Sequence, residues 1–528
     1  MVRLSALPTR REPADDLLTR PDVVLDRGLL HLVHDDVPGW RARIDDLLAV
    51  ADAFDAADVP LLLIRRDRST PAIVVDLDRR EDAFAALRSL AHDPFYVKGK
   101  RRPPVLAADA APLSSDPFAV RVYRPRITPR RTLRYGASLA ARVEFWRFGE
   151  VLVEAPDENV LMRRQTPAED VGFTTVEQHG RVWRTIEGMF DPLPKEFRGD
   201  VDIVFSWVDG STSEFQRQRA AALAEYVVGE GDDSPARYRH VDELRYALRS
   251  VYMYAPWVRR IHIATDSPVP GWLTEHPRIR IVRSEEFFAD PSTLPTHNSH
   301  AVEAQLHRIP GIAEHFLYSN DDMFFGRPVE PELFFTPAGV TKFVESGVRI
   351  GTGEPAAHRS GHDNALRVNR ALLRERFGRT ITRDLEHCAA PLRRSVLAEL
   401  EREFAEDFAR TAATRFRSAT DISVTNSLYH YYALMTGRAV ATTQPRVQYV
   451  QTTTTGQLRK MERLAERRDI DMFCLNDGGT EQDVPEELRV RALRAVLDRM
   501  FPVRAPWERA DLSAGRESAR SAHPSTRG

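Results

Sequence analysis

Two adjacent carboxylates offer the clearest chemistry in this 528-residue sequence. Asp321 and Asp322 come directly after Asn320, at the end of the apolar segment 315–319. Neighbouring carboxylates repel each other unless a cation lies between them. Mg²⁺ and Mn²⁺ take oxygen ligands from one or two carboxylates together with substrate phosphates. The pattern indicates a metal-assisted nucleotide-diphosphate site, and the alternative is an Asn-Asp turn that only ends a strand.

Other apolar runs in the same part of the chain also end in polar side chains, namely Asp209, Asp266, Asn476 and Asp477. In open α/β sheets the ligand crevice lies outside the carboxyl ends of the strands, so these residues would gather around one cleft. A single aspartate at such a position is more often a turn former or helix cap than a ligand. With several in one sheet, the functional and the structural interpretations are about equally supported.

A predicted helix over 299–309 separates into two faces. One face is apolar, and the other carries His300, Glu303 and His307. The spacing lacks the His-Glu-x-x-His arrangement and no cysteine is near, so a solvated or cleft-lining polar face is favoured over a zinc site. Asn298 and Ser299 are typical N-cap residues, and the helix N-terminus after them could offer N–H groups to a phosphate.

Three residues nearer the carboxyl terminus could take part in phosphoryl transfer. His387 lies in the segment LEHCAAPLRR, and Arg417 and Asp421 lie in TRFRSATD. Histidine titrates near neutral pH and could remove a proton from a sugar hydroxyl. An arginine can stabilise charge that develops on a transferring phosphoryl group. The alternative is that each of them has an ordinary structural role.

The elements that must position these residues follow a strand–loop–helix pattern over 196–508. We predict strands at 201–208, 261–265, 279–282, 315–319 and 339–345, and a helix at 242–253. Such a pattern predicts an α/β fold with a mostly parallel nucleotide-sugar-binding sheet covered by helices.

The rest of the chain predicts smaller blocks. A small α/β unit is expected over 21–115 and a β-rich segment over 116–195, with disordered tails at 1–20 and 509–528. Neither amino-terminal block carries a catalytic signature.

Composition excludes several classes of protein. Charge is balanced, with 75 basic and 77 acidic residues, which argues against a nucleic-acid partner. Two cysteines, Cys388 and Cys474, cannot form a disulfide framework. No signal peptide or transmembrane segment is evident. A cytoplasmic protein is expected, with peripheral attachment to the inner face of the membrane left open, and the oligomeric state is not specified.

Four segments together resemble the conserved regions of the Stealth family, in the order in which that family has them. They are IVFSWVDGS at 203–211, the segments 237–273 and 294–329, and FCLND at 473–477. The resemblance covers about 196–508 and implies transfer of a hexose-1-phosphate from a nucleotide sugar, usually a UDP-sugar, to a hydroxyl of an acceptor glycan. The product is a phosphodiester in capsular or other surface polysaccharide, and the leaving group is a nucleoside monophosphate.

The resemblance also implies roles for individual residues. Asp322 and Asp477 are expected to bind Mg²⁺ or Mn²⁺. His387 is the expected base and Arg417 the phosphate clamp, and Asp421 would orient either of them. Asp209 would lie under the nucleotide or the transferring phosphate. Contacts to the donor are expected from Asn298, Ser299, Asn320, Asp321 and Asn476. Relatives often have His-x-Pro at the base, whereas Ala389 stands at the third position here.

Two alternatives belong to other classes of function. A glycosyltransferase could use the same nucleotide-sugar site but attack the anomeric carbon. A glycan-binding or scaffold protein could keep the fold without catalysis. The nature of the product separates the first alternative, and donor turnover separates the second.

Overall fold

The computed structural model describes residues 13–66, 70–111, 118–210, 241–476 and 483–509. The chain divides into two compact units, Met1–Leu193 and Pro194–Gly528.

The first unit is built around a mixed sheet. Its strands are β1 (Val23–Asp26), β2 (Leu29–Val33), β3 (Leu61–Arg65), β4 (Pro71–Asp76), β5 (Tyr96–Lys98), β6 (Val105–Leu106), β7 (Ala119–Tyr123), β8 (Arg126–Ile127), β9 (Arg134–Tyr135), β10 (Ala141–Phe148), β11 (Leu152–Glu154), β12 (Gln165–Pro167), β13 (Phe173–Gln178) and β14 (Arg181–Ile186). Its helices are α1 (Pro13–Leu18), α2 (Gly39–Ala56) and α3 (Arg80–Leu87).

One sheet of this unit joins strands from both sides of residue 115. β4 pairs in parallel with β10, and β5 pairs antiparallel with β7. The small α/β unit and the β-rich segment, expected as separate blocks, therefore share one sheet. Part of the tail expected to be disordered is ordered as well, because α1 buries Leu17 against Val23 and Leu30.

The second unit holds the candidate chemistry. Its strands are β15 (Val201–Ser206), β16 (Ile261–Ala264), β17 (Ile279–Val282), β18 (His315–Asn320), β19 (Met323–Phe325), β20 (Thr341–Phe343), β21 (Glu345–Arg349), β22 (Arg383–Leu385), β23 (Ala390–Arg393), β24 (Ala439–Ala441), β25 (Val447–Gln451) and β26 (Met472–Asn476). Its helices are α4 (Glu243–Tyr254), α5 (Ser299–Glu303), α6 (Gly361–Phe377), α7 (Arg394–Glu403), α8 (Ala405–Ala413), α9 (Tyr429–Met435), α10 (Thr455–Arg467) and α11 (Glu486–Met500).

The main sheet of the second unit has the strand order β17-β16-β15-β18-β23. The first four strands are parallel, and β23 runs antiparallel to β18 at the edge. β15, β16 and β18 are almost continuously buried, as expected for parallel strands covered on both faces. The prediction of an α/β fold with a mostly parallel sheet is confirmed.

A smaller sheet continues directly from the main one. β18 ends at Asn320 and β19 begins at Met323, so only Asp321 and Asp322 separate them. β19 pairs antiparallel with β26, which pairs in parallel with β25. The two carboxylates therefore lie where the chain passes from one sheet to the other.

The predicted helix over 299–309 is shorter than its pattern. α5 ends at Glu303, and a 3₁₀ turn follows at Leu306–Arg308. The polar face is neither solvated nor open to a cleft, because His300, Glu303 and His307 are all at least nine-tenths buried. Within the described residues, no helix is both long and apolar enough to cross a membrane.

A buried carboxylate ties β15 to its surroundings. Asp202 accepts hydrogen bonds from Arg259 Nε at 2.9 Å and Nη2 at 2.7 Å, and from the Ala313 N–H at 2.8 Å, while His262 Nε2 lies 3.2 Å away. Burial opposes ionisation, but the contacts with His262, Arg259 and Ala313 outweigh it and lower the pKa of Asp202 to about 2.

Asp202→Asn is expected to lower the free energy of unfolding by about 1–3 kcal/mol, because the amide presents an N–H₂ group to donors that now bind a buried carboxylate. Since the folded-state pKa is depressed, the ionised carboxylate stabilises the fold above about pH 4. That contribution is lost as the pH falls towards about 2. Urea unfolding followed by tryptophan fluorescence at several pH values measures both effects.

Asp200→Asn is the matched control, because the Asp200 side chain is exposed and lies 3.3 Å from the same arginine, Arg259. We expect its effect to stay within about 1 kcal/mol. Equal acid sensitivity of the wild type and the Asp202 variant would contradict the assignment.

Candidate active site

The carboxyl edge of the main sheet collects the predicted site residues. Ser206 at the end of β15 pairs with Asn320 at the end of β18. The antiparallel strand β23 begins at this same edge, where Ala390 pairs with Tyr318. The bend that carries His387 precedes β23 and therefore opens onto the edge from which Asp321 follows.

Asp322 is held by the smaller sheet. Its Oδ2 accepts from Cys474 Sγ at 3.3 Å and lies 3.5 Å from Asn476 Nδ2, and its backbone oxygen accepts from the Leu475 N–H. Burial and the charges of Asp322 and Asp321 raise the pKa of the Cys474 thiol well above its usual range. The thiol therefore remains a neutral donor to the carboxylate, and Asn476 joins the same cluster.

The donor atoms here suit a hard cation. Asp321 and Asp322 supply two half-buried carboxylates, and Asn476 adds an amide. Asp477, the other expected ligand, lies outside the described residues. Among the residues that the structure does describe, no group of three or more His, Cys, Asp or Glu side chains is arranged to hold a metal ion. Carboxylate oxygens of this kind are the ligands that Mg²⁺ takes where substrate phosphates complete its coordination.

The other two strand-end aspartates differ in what they contact. Asp266 Oδ1 accepts from the Ser284 N–H at 2.9 Å, so this residue closes a loop, as the turn interpretation expected. Asp209 is half-buried on the same edge of the sheet, and its N–H donates to Ser267 Oγ at 2.9 Å. The loops after β15 and β16 are thereby joined beside the cleft.

Asn298 is buried and joins the start of α5 to the 414–421 loop. It is 1% exposed, and its Oδ1 accepts from the His300 N–H as the cap of α5. Its Nδ2 donates to Thr414 Oγ1 and to Asp421 Oδ2, both at 2.8 Å. The contact that we expected between Asn298 and the nucleotide-sugar donor is thus replaced by contacts within the protein. Asn298 fixes the 414–421 loop against α5.

Asp421 organises the same loop from inside. It is fully buried, and its oxygens accept from the Ser418 N–H at 3.0 Å and Thr414 Oγ1 at 3.1 Å, while His300 Nδ1 lies 3.7 Å away. Burial opposes ionisation, but the interactions with His300, Ser418 and Asn298 outweigh it and keep the pKa of Asp421 below its usual value. Asp421 therefore acts through the loop that carries Arg417.

Arg417 and Ser299 meet at the start of α5. Arg417 Nη2 donates to Ser299 Oγ at 2.7 Å, and both side chains are half-buried. The guanidinium also acts electrostatically on His387 and Tyr318. A single arginine therefore connects the helix N-terminus to the histidine bend.

His387 has the properties of a proton acceptor. It is half-buried in the bend between β22 and β23, and the Tyr449 ring packs edge-on with centroids 5.4 Å apart. Burial, with nearby positive charge that includes Arg417, lowers the pKa of His387. The imidazole is therefore neutral at neutral pH and able to take a proton.

A hydrogen-bonded chain that the sequence did not reveal runs beneath the edge. Thr425 Oγ1 donates to Glu303 Oε2 at 2.6 Å, and Tyr318 OH donates to Glu303 Oε1 at 3.4 Å. Tyr318 OH also lies 2.8 Å from Ser206 Oγ, which donates to Asn320 Oδ1 at 3.3 Å. This chain of hydrogen bonds orients the Asn320 amide. In the sequence, only Glu303 pointed to it, and we had placed Glu303 on a polar helix face exposed to solvent or to a cleft.

The predicted residues form two neighbouring clusters. Asn320, Asp321, Asp322 and Asn476 surround the junction of the two sheets, and Asn298, Ser299, Arg417 and Asp421 surround the start of α5. The positive charge of Arg417 lowers the pKa of His387. The negative charges of Asp321 and Asp322 raise the pKa of Cys474, and so does Cys388, which is next to His387 in the chain. Charge interactions thus link the histidine bend to the surroundings of both clusters.

Asp421→Asn is expected to weaken both stability and turnover. An amide presents an N–H₂ group to donors that now bind a carboxylate, so the free energy of unfolding should fall by about 1–3 kcal/mol. Turnover should also slow by about tenfold as the loop that carries Arg417 loosens. Urea unfolding and nucleotide release measure the two effects. Glu406→Gln, on the exposed face of α8, is the control, and equal turnover in both variants would refute this role.

A mostly parallel α/β sheet with carboxylates, an arginine and a neutral histidine at its carboxyl edge defines the class of α/β enzymes that bind ligands in that crevice. The family models Stealth protein conserved region 2, 3 and 4 match residues 237–343, 386–434 and 462–519. The chain belongs to the Stealth protein family, and it is a transferase.

Relatives match over nearly the whole chain. The exopolysaccharide phosphotransferase CpsY of Mycobacterium tuberculosis is 51% identical over 93% of this chain and 94% of its own length. The exopolysaccharide phosphotransferase of Nocardia farcinica is 49% identical over 93% of each chain. Streptomyces coelicolor SCO6021, of the same name, is 38% identical over 93% of this chain and 95% of its own.

Solved structures match more distantly. The galactosyltransferase LgtC, with donor and acceptor sugar analogues, has a TM-score of 0.30 and 11% identity, covering 60% of this chain and 99% of that one. The bifunctional glycosyltransferase WbbM has a TM-score of 0.32 and 12% identity, covering 62% and 54%.

The family models correct one expectation. The segment 294–329, assigned above to the third region, lies inside region 2. Region 3 instead contains His387, Arg417 and Asp421. The expectation that 237–273 and 294–329 belong to separate regions was therefore wrong, because one region spans both segments.

Proposed function

We propose that this enzyme transfers a hexose-1-phosphate from a nucleotide sugar, a UDP-sugar, to a hydroxyl of an acceptor glycan. The product would be a phosphodiester within a surface or capsular polysaccharide. The relatives named exopolysaccharide phosphotransferase support the polysaccharide phosphotransferase role. The observation that carries the proposal is that the bend with His387 leads into β23 at the same carboxyl edge of the sheet from which Asp321 and Asp322 follow β18.

The bonds that change are few. The acceptor hydroxyl oxygen attacks the sugar-proximal phosphorus, and the bond from that phosphorus to the oxygen of the leaving nucleoside monophosphate breaks. His387 takes the hydroxyl proton, which its lowered pKa permits at neutral pH. Arg417, fixed by Ser299, faces the charge that develops on the phosphoryl oxygens.

Asp322 and Asp477 are proposed to hold Mg²⁺ or Mn²⁺, with Asp321, Asn320 and Asn476 contacting the donor. When bound, such an ion would neutralise phosphate charge during the transfer. Asp209, on the same edge, is proposed to lie under the nucleotide. The Tyr318–Ser206 chain keeps the Asn320 amide oxygen engaged.

Product analysis tests this proposal. Purified enzyme is incubated with Mg²⁺ or Mn²⁺, a panel of UDP-sugars and candidate glycans, and the products are followed by phosphorus NMR and nucleotide chromatography. Phosphodiester in the glycan and release of nucleoside monophosphate are expected. Release of nucleoside diphosphate with no phosphodiester would establish ordinary glycosyl transfer instead. The cytoplasmic location stays a prediction.

A further inference from the structure

A second imidazole lies beside the proposed base. His362 is in the first turn of α6, and its Nε2 lies 2.9 Å from Asp384 Oδ2 on β22. The other oxygen of Asp384 accepts from the Leu385 N–H at 2.8 Å. Asp384 is 8% exposed, whereas the His362 side chain is 30% exposed. A largely buried carboxylate therefore fixes an imidazole that still reaches solvent.

This fixed imidazole faces His387. The two ring centroids are 6.0 Å apart, with the planes inclined at 54°. Tyr449 packs against His387 with its ring centroid 5.4 Å away. His362 and Asp384 lie between the segments that the family models match, which end at 343 and resume at 386.

We propose that His362, held in place by Asp384, is a positioning residue that sets the proton occupancy of His387. The inference rests on the proposed function, because it matters for turnover only if His387 is the base. The hydrogen bond to Asp384 holds the His362 ring in place, so that a positive charge on that ring lies close to His387. A cationic ring about 6 Å from a second imidazole then disfavours a proton on that second ring.

The groups around His387 agree with this role. Burial is the largest cause of the lowered pKa of His387, followed by the charge of His362. The Asp384 carboxylate raises that pKa, and Arg417 lowers it by a smaller amount. The pKa of Asp384 lies below its usual value, since contacts with His362 outweigh burial. Glu386, the adjacent residue, has a raised pKa because of burial and the charge of Asp384.

The informative variant is His362→Gln. Glutamine keeps a donor for Asp384 but cannot carry charge, so the fold around Asp384 is preserved while the cation is lost. The titration midpoint of His387 should then move upward by about 0.5–1 pH unit. His358→Gln, an exposed histidine before α6, is the matched control and should leave the midpoint unchanged.

Histidine-labelled full-length protein is titrated by NMR, with the His387 signal assigned by its loss in His387→Asn. In parallel, the acid limb of kcat/KM is recorded for each variant. An upward shift of both the NMR midpoint and the acid limb supports the inference. An unmoved NMR midpoint in His362→Gln overturns it, whatever the activity does.

The two proposals fail differently. An NMR shift with an unmoved acid limb would leave the positioning role standing and would overturn His387 as the base. A shift in His358→Gln equal to that in His362→Gln would show a general electrostatic effect and overturn the specific pairing. The circular dichroism spectrum and thermal unfolding of each variant are compared with those of the wild type, so that a misfolded variant is recognised before it is titrated.

Discussion

His387→Asn is expected to lower the rate of sugar-phosphate transfer by about 10²–10⁴-fold, which is the usual contribution of a positioned general base. Asparagine fills a similar volume in the bend before β23 but cannot accept the acceptor proton. The loss should appear in kcat, measured by nucleoside monophosphate release at saturating donor and acceptor.

The pH profile gives this prediction a second measurement. Because burial lowers the pKa of His387, the folded enzyme keeps a neutral imidazole below the ordinary histidine range. Activity should therefore persist on the acid side of about pH 6.5 and fall only when His387 becomes protonated. A variant that retained more than about one-tenth of the wild-type rate, with the same acid limb, would exclude His387 as the base.

Asp322→Asn is expected to reduce kcat/KM by about 10³-fold or more and to abolish the response to Mg²⁺ or Mn²⁺. The amide keeps an oxygen that can accept from Cys474 and Asn476, so the junction of the two sheets should remain folded. What it loses is the negative charge that a hard cation requires. Metal titrations of nucleotide release measure the effect.

Asp266→Asn is the matched control for that experiment. It follows β16, another strand of the main sheet, and its side chain accepts from the Ser284 N–H, a role that an amide oxygen can fill. We expect its metal response to match that of the wild type. A full metal response in Asp322→Asn, or an equal loss in Asp266→Asn, would contradict the proposed ligand.

The local pattern of apolar residues in the sequence was sufficient to predict much of the main sheet. Apolar runs predicted β15, β16 and β18, because parallel strands covered on both faces need such runs. The observed Val201–Ser206 ends only two residues before the predicted run. The placement of Asp322 and Asn320 at a strand end followed from the same pattern.

Long-range contacts could not be predicted in this way. Asn298 looked like a cap that was free to meet a phosphate, but its amide is taken up by Asp421 and Thr414, more than 100 residues away in sequence. His362 and Asp384 gave no signal, since their meeting depends on how α6 packs beside β22. The polar face of α5 was taken as open because a helical pattern does not specify what covers it.

The antiparallel edge strand has a further consequence. The chain leaves the sheet edge at Asn320 and returns to that edge at Ala390, where β23 begins. The segment between these residues is therefore an excursion that leaves the sheet and returns to the same edge, so its length does not affect the register of the strands. Evolution can lengthen, shorten or replace parts of this excursion while Asp322 and His387 keep their positions. Differences in ligand preference among family members are therefore expected to lie in this excursion and not in the sheet.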